Sequence, residues 1–410
     1  MIYGLLGEKL GHSFSREIHE RLGRYSYRLI ELPPAELEAF LTARDFGGIN
    51  VTIPYKQAVI PYLDELSPRA GAIGAVNTIV NRNGRLYGDN TDFGGLKALL
   101  ERAGMALRGK TVLIAGTGGT SSTAMAVAED LGAARAVRLS RSGREGAMTY
   151  EAACAAYPGA EILINTTPAG MYPDLEGTPI ELDRLPGLEG VADVIYNPLT
   201  TRLVQQARAR GLRAENGLYM LVAQAVLAAE LFTGERFSPG TAEQLFHALQ
   251  AEKQNIVLIG MPGSGKTTLG KRLSEKLGRP LADSDAEIVR AAGLSIPEIF
   301  RDYGEPYFRD LESRVIRELS RTGGKVIATG GGAVLRQENV DALKQNGVLV
   351  FLDRPVEQLT PTGDRPLADE TEKILHLHTA RYPIYLAAAD RHVSVAGTEE
   401  ETLRKLLRVL

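Results

Sequence analysis

The spacing of apolar and polar positions divides the chain into stretches of different character. From residue 93 to about 214, short apolar runs alternate with longer amphipathic ones. That rhythm predicts parallel strands joined by crossover helices. Thr111-Val112-Leu113-Ile114-Ala115 reads as one strand, residues 122–131 as part of the helix behind it, and residues 136–139 as the next strand. Before residue 93 the runs are shorter and broken by Gly and Pro. Residues 49–53 predict a strand closed by Pro54. Residues 74–80 predict another, followed by a turn at Arg82-Asn83-Gly84. Residues 217–232 are apolar on nearly every face, which predicts a buried helix. Residues 248–254 are polar and short, and a linker is expected there. Beyond them, the apolar residues 255–259 open a compact α/β unit that runs to residue 410.

Composition narrows the function classes. At 410 residues the chain is long enough for roughly three domains. A hydrophobic content of 44% and a charged content of 24% suit a globular protein. The net charge of −3 gives no reason to expect nucleic acid or an anionic membrane as a partner. Cys154 stands alone, which excludes an intramolecular disulfide. The first residues lack a basic segment followed by a long apolar run, and no stretch approaches the ~18 apolar residues of a membrane span. A cytoplasmic location is the expectation. A homodimer is left open.

Two glycine loops of different chemistry change the picture most. The first, Gly116-Thr117-Gly118-Gly119-Thr120-Ser121, lies between a strand and a helix, as a dinucleotide-binding turn does. The strand after it ends in Ser140-Arg141-Ser142-Gly143-Arg144. An NAD site usually carries an acidic residue there, whereas arginine suits a 2′-phosphate, so NADP(H) is the expected coenzyme. The second loop, Gly260-Met261-Pro262-Gly263-Ser264-Gly265-Lys266-Thr267, is a complete P-loop. Its backbone amides and Gly263, Ser264, Gly265, Lys266, Thr267 and Thr268 are expected to hold ATP, with Thr267 offering its hydroxyl to Mg²⁺. A redox site and a nucleoside-triphosphate site on one chain imply two fused enzymes.

Further motifs carry resemblances. His12-Ser13-Phe14-Ser15, Asn50-Val51-Thr52-Ile53-Pro54-Tyr55-Lys56, Gly74-Ala75-Val76-Asn77-Thr78 and Gly88-Asp89-Asn90-Thr91-Asp92 resemble shikimate dehydrogenase. So do Asn165-Thr166-Thr167-Pro168-Ala169-Gly170-Met171 and Gly217-Leu218-Tyr219-Met220-Leu221-Val222-Ala223-Gln224. The resemblance covers about 1–247. It implies that Lys56 and Asp92 form the catalytic pair, and that Ser13 and Ser15 bind the substrate carboxylate. It further implies that Thr52, Asn77, Tyr196 and Gln224 contact the rest of the substrate. Gly116, Gly118, Gly119, Thr120, Ser140, Arg141, Ser142, Arg144 and Gly217 would then serve the coenzyme. Ser121 stands where the fingerprint has a third Gly or Ala, and Arg16 where the family commonly has proline.

Asp283-Ser284-Asp285, Phe308-Arg309-Asp310-Leu311-Glu312, Gly330-Gly331-Gly332, Arg365-Pro366-Leu367 and Arg381-Tyr382-Pro383-Ile384-Tyr385 resemble shikimate kinase over about 255–410. The resemblance implies that Asp285 holds the acceptor hydroxyl as base and that Asp283 reaches Mg²⁺. Arg309 and Arg381 would clamp the carboxylate, Gly330, Gly331 and Gly332 would let the backbone approach the ring, and Arg365 would act from a lid. An arginine usual in the segment before Arg365 is absent, and Pro361 interrupts it.

Together these readings imply an α/β protein: a substrate domain at 1–92 completed by helices in 217–247, a Rossmann-type NADP domain at 93–216, a linker at 248–254, and a P-loop kinase domain of the nucleoside-monophosphate-kinase type with a parallel sheet at 255–410. The expected function is NADPH-dependent reduction of 3-dehydroshikimate to shikimate, followed by its phosphorylation with ATP. Two rival readings stand beside it: a quinate-using dehydrogenase fused to a kinase of another small hydroxy acid, and a ligand-sensing regulator built from inactive copies. Such a regulator should have lost Lys56, Asp92, Lys266 or Asp285, and all four are present.

Overall fold

The computed structural model describes residues 1–11, 13–144, 146–359 and 371–410. Contacts divide them into two compact units, Met1–Leu249 and Gln250–Leu410. The first unit contains two sheets. One is built from β1 (Tyr3–Gly7), β2 (Tyr27–Glu31), β3 (Gly48–Val51), β4 (Glu65–Leu66), β5 (Thr78–Arg82) and β6 (Arg85–Asp89), in the order β2-β1-β3-β5-β6-β4. It is mixed, because β5 runs antiparallel to both β3 and β6. Between β5 and β6, Asn83 and Gly84 both have positive φ, 55° and 87°. Two consecutive left-handed residues make the tight hairpin for which Asn-Gly is suited.

Two expected strands are shorter than their apolar runs. The run at 49–53 leaves the sheet after Val51, because the chain turns with the Tyr55 amide donating to the Thr52 carbonyl at 2.9 Å. Ile53 is consequently 72% exposed. The run at 74–80 joins the sheet only at Thr78. Gly74, at φ 69°, instead ends the helix Pro68–Ile73 in a left-handed cap. Residues 76 and 77 are tied to the Lys56 and Asp89 carbonyls at 2.8 and 3.1 Å.

The second sheet contains β7 (Thr111–Ala115), β8 (Arg135–Ser140), β9 (Met148–Thr149), β10 (Ile162–Asn165), β11 (Gly190–Asp193) and β12 (Arg213–Glu215). Its order is β12-β11-β10-β7-β8-β9 and every pairing is parallel. Alternate residues of β7 feed different cores. Val112 and Ile114 pack with Leu96 and Leu99, while Leu113 packs with Leu139 and Leu163. A strand covered on both faces reads as a continuous apolar run, as this one does.

The apolar stretch at 217–232 is the helix Leu218–Thr233. Val222 and Ala225 pack on Ile18, while Ala228 and Phe232 pack on Leu5 and Tyr27. At its start a Cβ on Gly217 would run into the Val194 carbonyl oxygen. The next helix, Thr241–Lys253, passes through most of the expected linker. Leu249 is buried there, and the boundary between the two units falls within this helix.

The second unit holds β13 (Asn255–Ile259), β14 (Leu281–Asp283), β15 (Val326–Ala328), β16 (Gly347–Asp353) and β17 (Arg391–Ser394). The order is β14-β15-β13-β16-β17, again wholly parallel, with β13 at the centre. Its residues alternate between two cores: Val257 and Ile259 in one, Ile256 and Leu258 in the other.

The collision at Gly217 predicts that Gly217→Ala destabilises the first unit by on the order of 1–3 kcal/mol, because backbone cannot move aside cheaply. Gly71 lies in the helix Pro68–Ile73 and a Cβ there meets nothing within 4 Å, so Gly71→Ala should be neutral or stabilising. Denaturant unfolding of both variants checks this; an unchanged midpoint for Gly217→Ala contradicts it.

Candidate active sites

In the first unit the site forms where the helix Thr91–Arg102 begins. Asn90 caps that helix, its side-chain oxygen accepting from the Phe93 amide at 3.1 Å, and its own amide donates to the Ala75 carbonyl and the Thr123 hydroxyl. The cap fixes Asp92 in the first turn. Lys56, in the loop beyond β3, reaches it: Nζ lies 2.6 Å from Asp92 Oδ2, with the two side chains 15% and 10% exposed. The same ammonium donates to Thr120 Oγ1 at 3.4 Å. Thr120 is in the first turn of the helix Gly119–Asp130, behind the first glycine loop. The Lys56–Asp92 pair is therefore largely shielded from solvent and lies beside the helix that follows the first glycine loop.

Asn77 and Gln224 are brought together beside that pair. Asn77 Oδ1 accepts from the Thr91 amide at 2.7 Å, and its Nδ2 donates to Thr91 Oγ1 and Gln224 Oε1 at 3.0 and 3.4 Å. Behind them runs a buried relay in which Tyr27 donates to Asn50 at 2.7 Å and Asn50 donates to Thr78 at 3.1 Å. Burial pushes His19, stacked on Tyr27 at 4.0 Å, down to about 3, so its ring is neutral. Ser13 and Ser15 share a hydroxyl–hydroxyl hydrogen bond of 3.1 Å at the start of the helix Ser15–Leu22. Tyr196, whose phenol burial pushes up, bonds to Ser13. Thr52 is held at the end of β3, its amide donating to the Leu6 carbonyl at 2.9 Å.

The first glycine loop is closed by contact. Gly116 has φ 117°, and a Cβ there would lie 2.5 Å from Thr166 Oγ1. Ser121 is buried and donates to the Gly116 carbonyl at 2.7 Å, so this departure from the fingerprint ties the loop to its helix. A Cβ on Gly118 would meet nothing within 4 Å, whereas one on Gly119 would touch Ala75 and Lys56 at 3.5 Å, so Gly118 is open to an approaching group and Gly119 packs on the Lys56 loop. At the end of β8, Ser140 accepts from the Gly143 amide at 2.9 Å, closing a turn that leaves Arg141, Ser142 and Arg144 exposed. Two solvent-facing guanidinium groups beside an open glycine loop fit a coenzyme carrying an extra phosphate. Gly217 does its observable work against Val194.

In the second unit a cleft of about 500 Å³ gathers the P-loop and the acceptor residues. Gly260, Gly263 and Gly265 have φ of 147°, 83° and 91°. These conformations favour glycine and turn the loop amides inward. Lys266 Nζ donates to the Gly260 and Met261 carbonyls, each at 2.8 Å. Ser264 is fully buried, and Thr268 lines the cleft. Thr267 Oγ1 donates to Asp283 Oδ2 at 2.7 Å, and Asp283 Oδ1 caps the helix Ser284–Ala292 through the Asp285 and Ala286 amides. A hydroxyl beside one carboxylate fits Mg²⁺, which takes few protein ligands when phosphates and water complete its shell. Among the described residues no group of three or more His, Cys, Asp or Glu could hold a metal by itself.

The triple glycine is crowded at each position. A Cβ on Gly330 would lie 2.5 Å from Asp285 Oδ1, one on Gly331 would lie 2.7 Å from Pro262, and one on Gly332 would collide with the Arg309 guanidinium. Arg381 and Tyr385 both donate to the Gly331 carbonyl, Arg381 at 3.3 Å. Arg309 donates to Glu312 at 2.7 Å and to Glu305 at 3.0 Å. Glu312, 1% exposed, was not among the expected site residues. Burial pushes its carboxyl up and Asp285 adds to this, against the pull of Arg309 and Arg381. Its i, i+3 spacing from Arg309 was the available signal. Tyr27, Thr78 and Thr91 were also missed; they meet only through long-range pairing. Arg365 lies outside the described residues.

Comparison with known proteins points to the same two families. A family model described as shikimate dehydrogenase substrate binding domain matches residues 5–79, and one described as shikimate kinase matches residues 262–410. The shikimate dehydrogenase (NADP(+)) of Geobacillus kaustophilus is 42% identical over 260 residues, spanning 57% of this chain and 93% of that protein. The namesake from Symbiobacterium thermophilum is 40% identical over 266 residues, with 57% and 90% covered. A solved chorismate mutase/shikimate 5-dehydrogenase fusion protein from Clostridium acetobutylicum superposes with a TM-score of 0.58 at 33% identity, covering 61% of this chain and 97% of that one. Shikimate 5-dehydrogenase from Thermus thermophilus, solved with NADP(H) and shikimate, gives 0.55 at 31% identity, covering 60% and 99%. The chain belongs to the shikimate dehydrogenase family, and its C-terminal unit carries a shikimate kinase domain.

Proposed function

We propose that the two units catalyse consecutive reactions, the first reducing 3-dehydroshikimate to shikimate and the second phosphorylating shikimate with ATP. The observation that carries this reading is the pairing of Lys56 with Asp92 at 2.6 Å, within reach of Thr120 at the coenzyme helix. Bound NADPH supplies the hydride. The ketone oxygen gains negative charge as hydride arrives, and Lys56 Nζ donates the proton that converts alkoxide to hydroxyl. Asp92 keeps the ammonium oriented by accepting one of its N–H bonds. Ser13 and Ser15 hold the carboxylate, with Tyr196 behind Ser13. Asn77 and Gln224 present their amides to the ring hydroxyls, and Thr52 completes that side. Arg141, with Arg144, meets the coenzyme 2′-phosphate, and Ser140 shapes the turn that presents them.

In the second unit, Asp285 takes the proton of the attacking hydroxyl, and the γ-phosphoryl group passes to that oxygen as its bond to the β,γ-bridging oxygen breaks and ADP leaves. Lys266 and the loop amides take up the phosphates in place of its present carbonyl partners. Thr267 and Asp283 would hold Mg²⁺, which neutralises phosphate charge when bound. Arg309 and Arg381 suit the acceptor carboxylate by their planar donor forks. The substrates are small carboxylates. Among the described residues no helix is long and apolar enough to cross a membrane.

Lys56→Ala should lower the dehydrogenase rate by about 10²- to 10⁴-fold, the usual loss for a positioned acid–base group. Phosphorylation of supplied shikimate should continue unchanged. Near-normal NADPH oxidation by the variant would overturn the catalytic pair. Arg141→Ala should raise the KM for NADPH far more than that for NADH, since NADH lacks the 2′-phosphate that the guanidinium meets. Parallel increases for both coenzymes would remove Arg141 from that role.

A further inference from the structure

The sheet order of the second unit divides its cleft. The P-loop leaves the central strand β13. Acceptor residues come from one side of it: Asp285 follows β14 and the triple glycine follows β15. The cleft wall on the other side is made by residues beyond β16 and β17, among them Arg354, Val395 and Gly397. The Val395 amide donates to the Asp353 carbonyl at 2.7 Å, so the two loop starts are tied together. With the acceptor on the β14–β15 side and the phosphates at the P-loop, the nucleoside end of the nucleotide must fall toward β16 and β17. Ligands of parallel α/β sheets bind at this carboxyl edge in general.

Arg354 is the cation on that wall. A Cβ on Gly265 would lie 3.8 Å from Arg354 Nη2, which places the guanidinium beside the start of the P-loop helix. The other cleft cations have protein partners: Lys266 bonds loop carbonyls, Arg309 bonds Glu312, and Arg381 bonds Gly331. The buried Arg354 Nε has no hydrogen-bond partner among the described residues. Nearby carboxylates are engaged elsewhere. Asp353 accepts from Tyr382 at 3.1 Å and from His392 at 2.9 Å, and Glu399 pairs with Arg272 at 3.4 Å. Arg354 lines a cleft built for anions, and a buried donor left without a partner on such a side chain calls for a ligand acceptor.

We propose that Arg354 binds the nucleotide, its guanidinium donating to the phosphate next to the nucleoside. This inference rests on the kinase reading of the cleft and adds a nucleotide-binding residue to it. The phosphate nearest the ribose is the anionic group that a P-loop-bound nucleotide presents to the β16 side. Arg354 then acts on nucleotide binding and leaves acceptor binding alone.

The test compares the full chain with Arg354→Ala and Arg354→Lys. ADP binding is followed by calorimetry, and ADP, AMP and adenosine are compared as inhibitors of shikimate phosphorylation. Removing a charge-assisted hydrogen bond should weaken ADP binding by about 10- to 100-fold. AMP inhibition should weaken by a similar factor, because AMP keeps the phosphate in question, while adenosine inhibition stays the same. Arg354→Lys should recover part of the loss, as charge is kept and the planar fork is not. The KM for shikimate should not move, and apoprotein unfolding should match the parent chain. ADP binding equal in parent and Arg354→Ala overturns this inference and leaves the kinase reading standing. Equal weakening of adenosine and ADP overturns the phosphate contact. A parent chain that binds no ADP overturns the kinase reading and this inference with it.

Discussion

Close backbone approach at the carboxyl edge of a parallel sheet is the constraint on which both sites depend. Phosphate groups are held by amide hydrogens, and those amides are reachable only where no side chain intervenes. Gly116 at φ 117° and Gly260 at φ 147° begin the two loops, each in a conformation that favours glycine. Each is also sterically closed, Gly116 by Thr166 and Gly260 by the Leu352 carbonyl. The triple glycine extends the constraint to the acceptor, since side chains at those positions would displace Asp285, Pro262 or Arg309. The rest of each active site is arranged around these approaches.

The two units then handle charge differently. In the first, one ammonium and one carboxylate meet at 2.6 Å in a shielded cleft, and a neutral network of amides and hydroxyls surrounds them. Neutral donors suit a polyhydroxylated ring, and a single ammonium suits delivery of one proton. The second unit must face several negative groups at once. It gathers arginines and a lysine, and steadies Arg309 with Glu312, a carboxylate that burial pushes up and Arg309 pulls back. Because an unpaired buried charge is costly, the arginines are prepared by carboxylates or carbonyls before the ligands arrive. Among the described residues Arg354 departs from that arrangement, since its Nε has no hydrogen-bond partner, and this is the reason it points to a ligand.

Much of this was legible in the sequence because glycine requirements and strand periodicity are local. The strands 111–115 and 255–259 match their apolar runs, and both glycine loops follow them directly. Legibility failed where a local rule met a competing one. The run at 74–80 has strand composition, yet Gly74 caps a helix and shortens it. The boundary between the two units does fall within the polar segment 248–254, but its helical form is not announced by composition, because it depends on the buried side that includes Leu249. Long-range partners were out of reach: Asn77 and Gln224 are 147 residues apart, and no local pattern announces that Tyr27 supports Asn50. Glu312 lies within the stretch Phe308-Arg309-Asp310-Leu311-Glu312, but its role as partner to Arg309 depends on helical spacing and burial that the stretch alone does not express.

The central claim is that one chain passes a substrate through two chemistries in a fixed order. The most direct measurement supplies the purified chain with 3-dehydroshikimate, NADPH, ATP and Mg²⁺ and follows NADPH loss and ADP formation together. The account predicts that ADP appears only when NADPH is present, lags behind NADPH oxidation, and reaches the same final amount. ADP formed from 3-dehydroshikimate without NADPH, or NADPH consumed with no ADP formed, would contradict it.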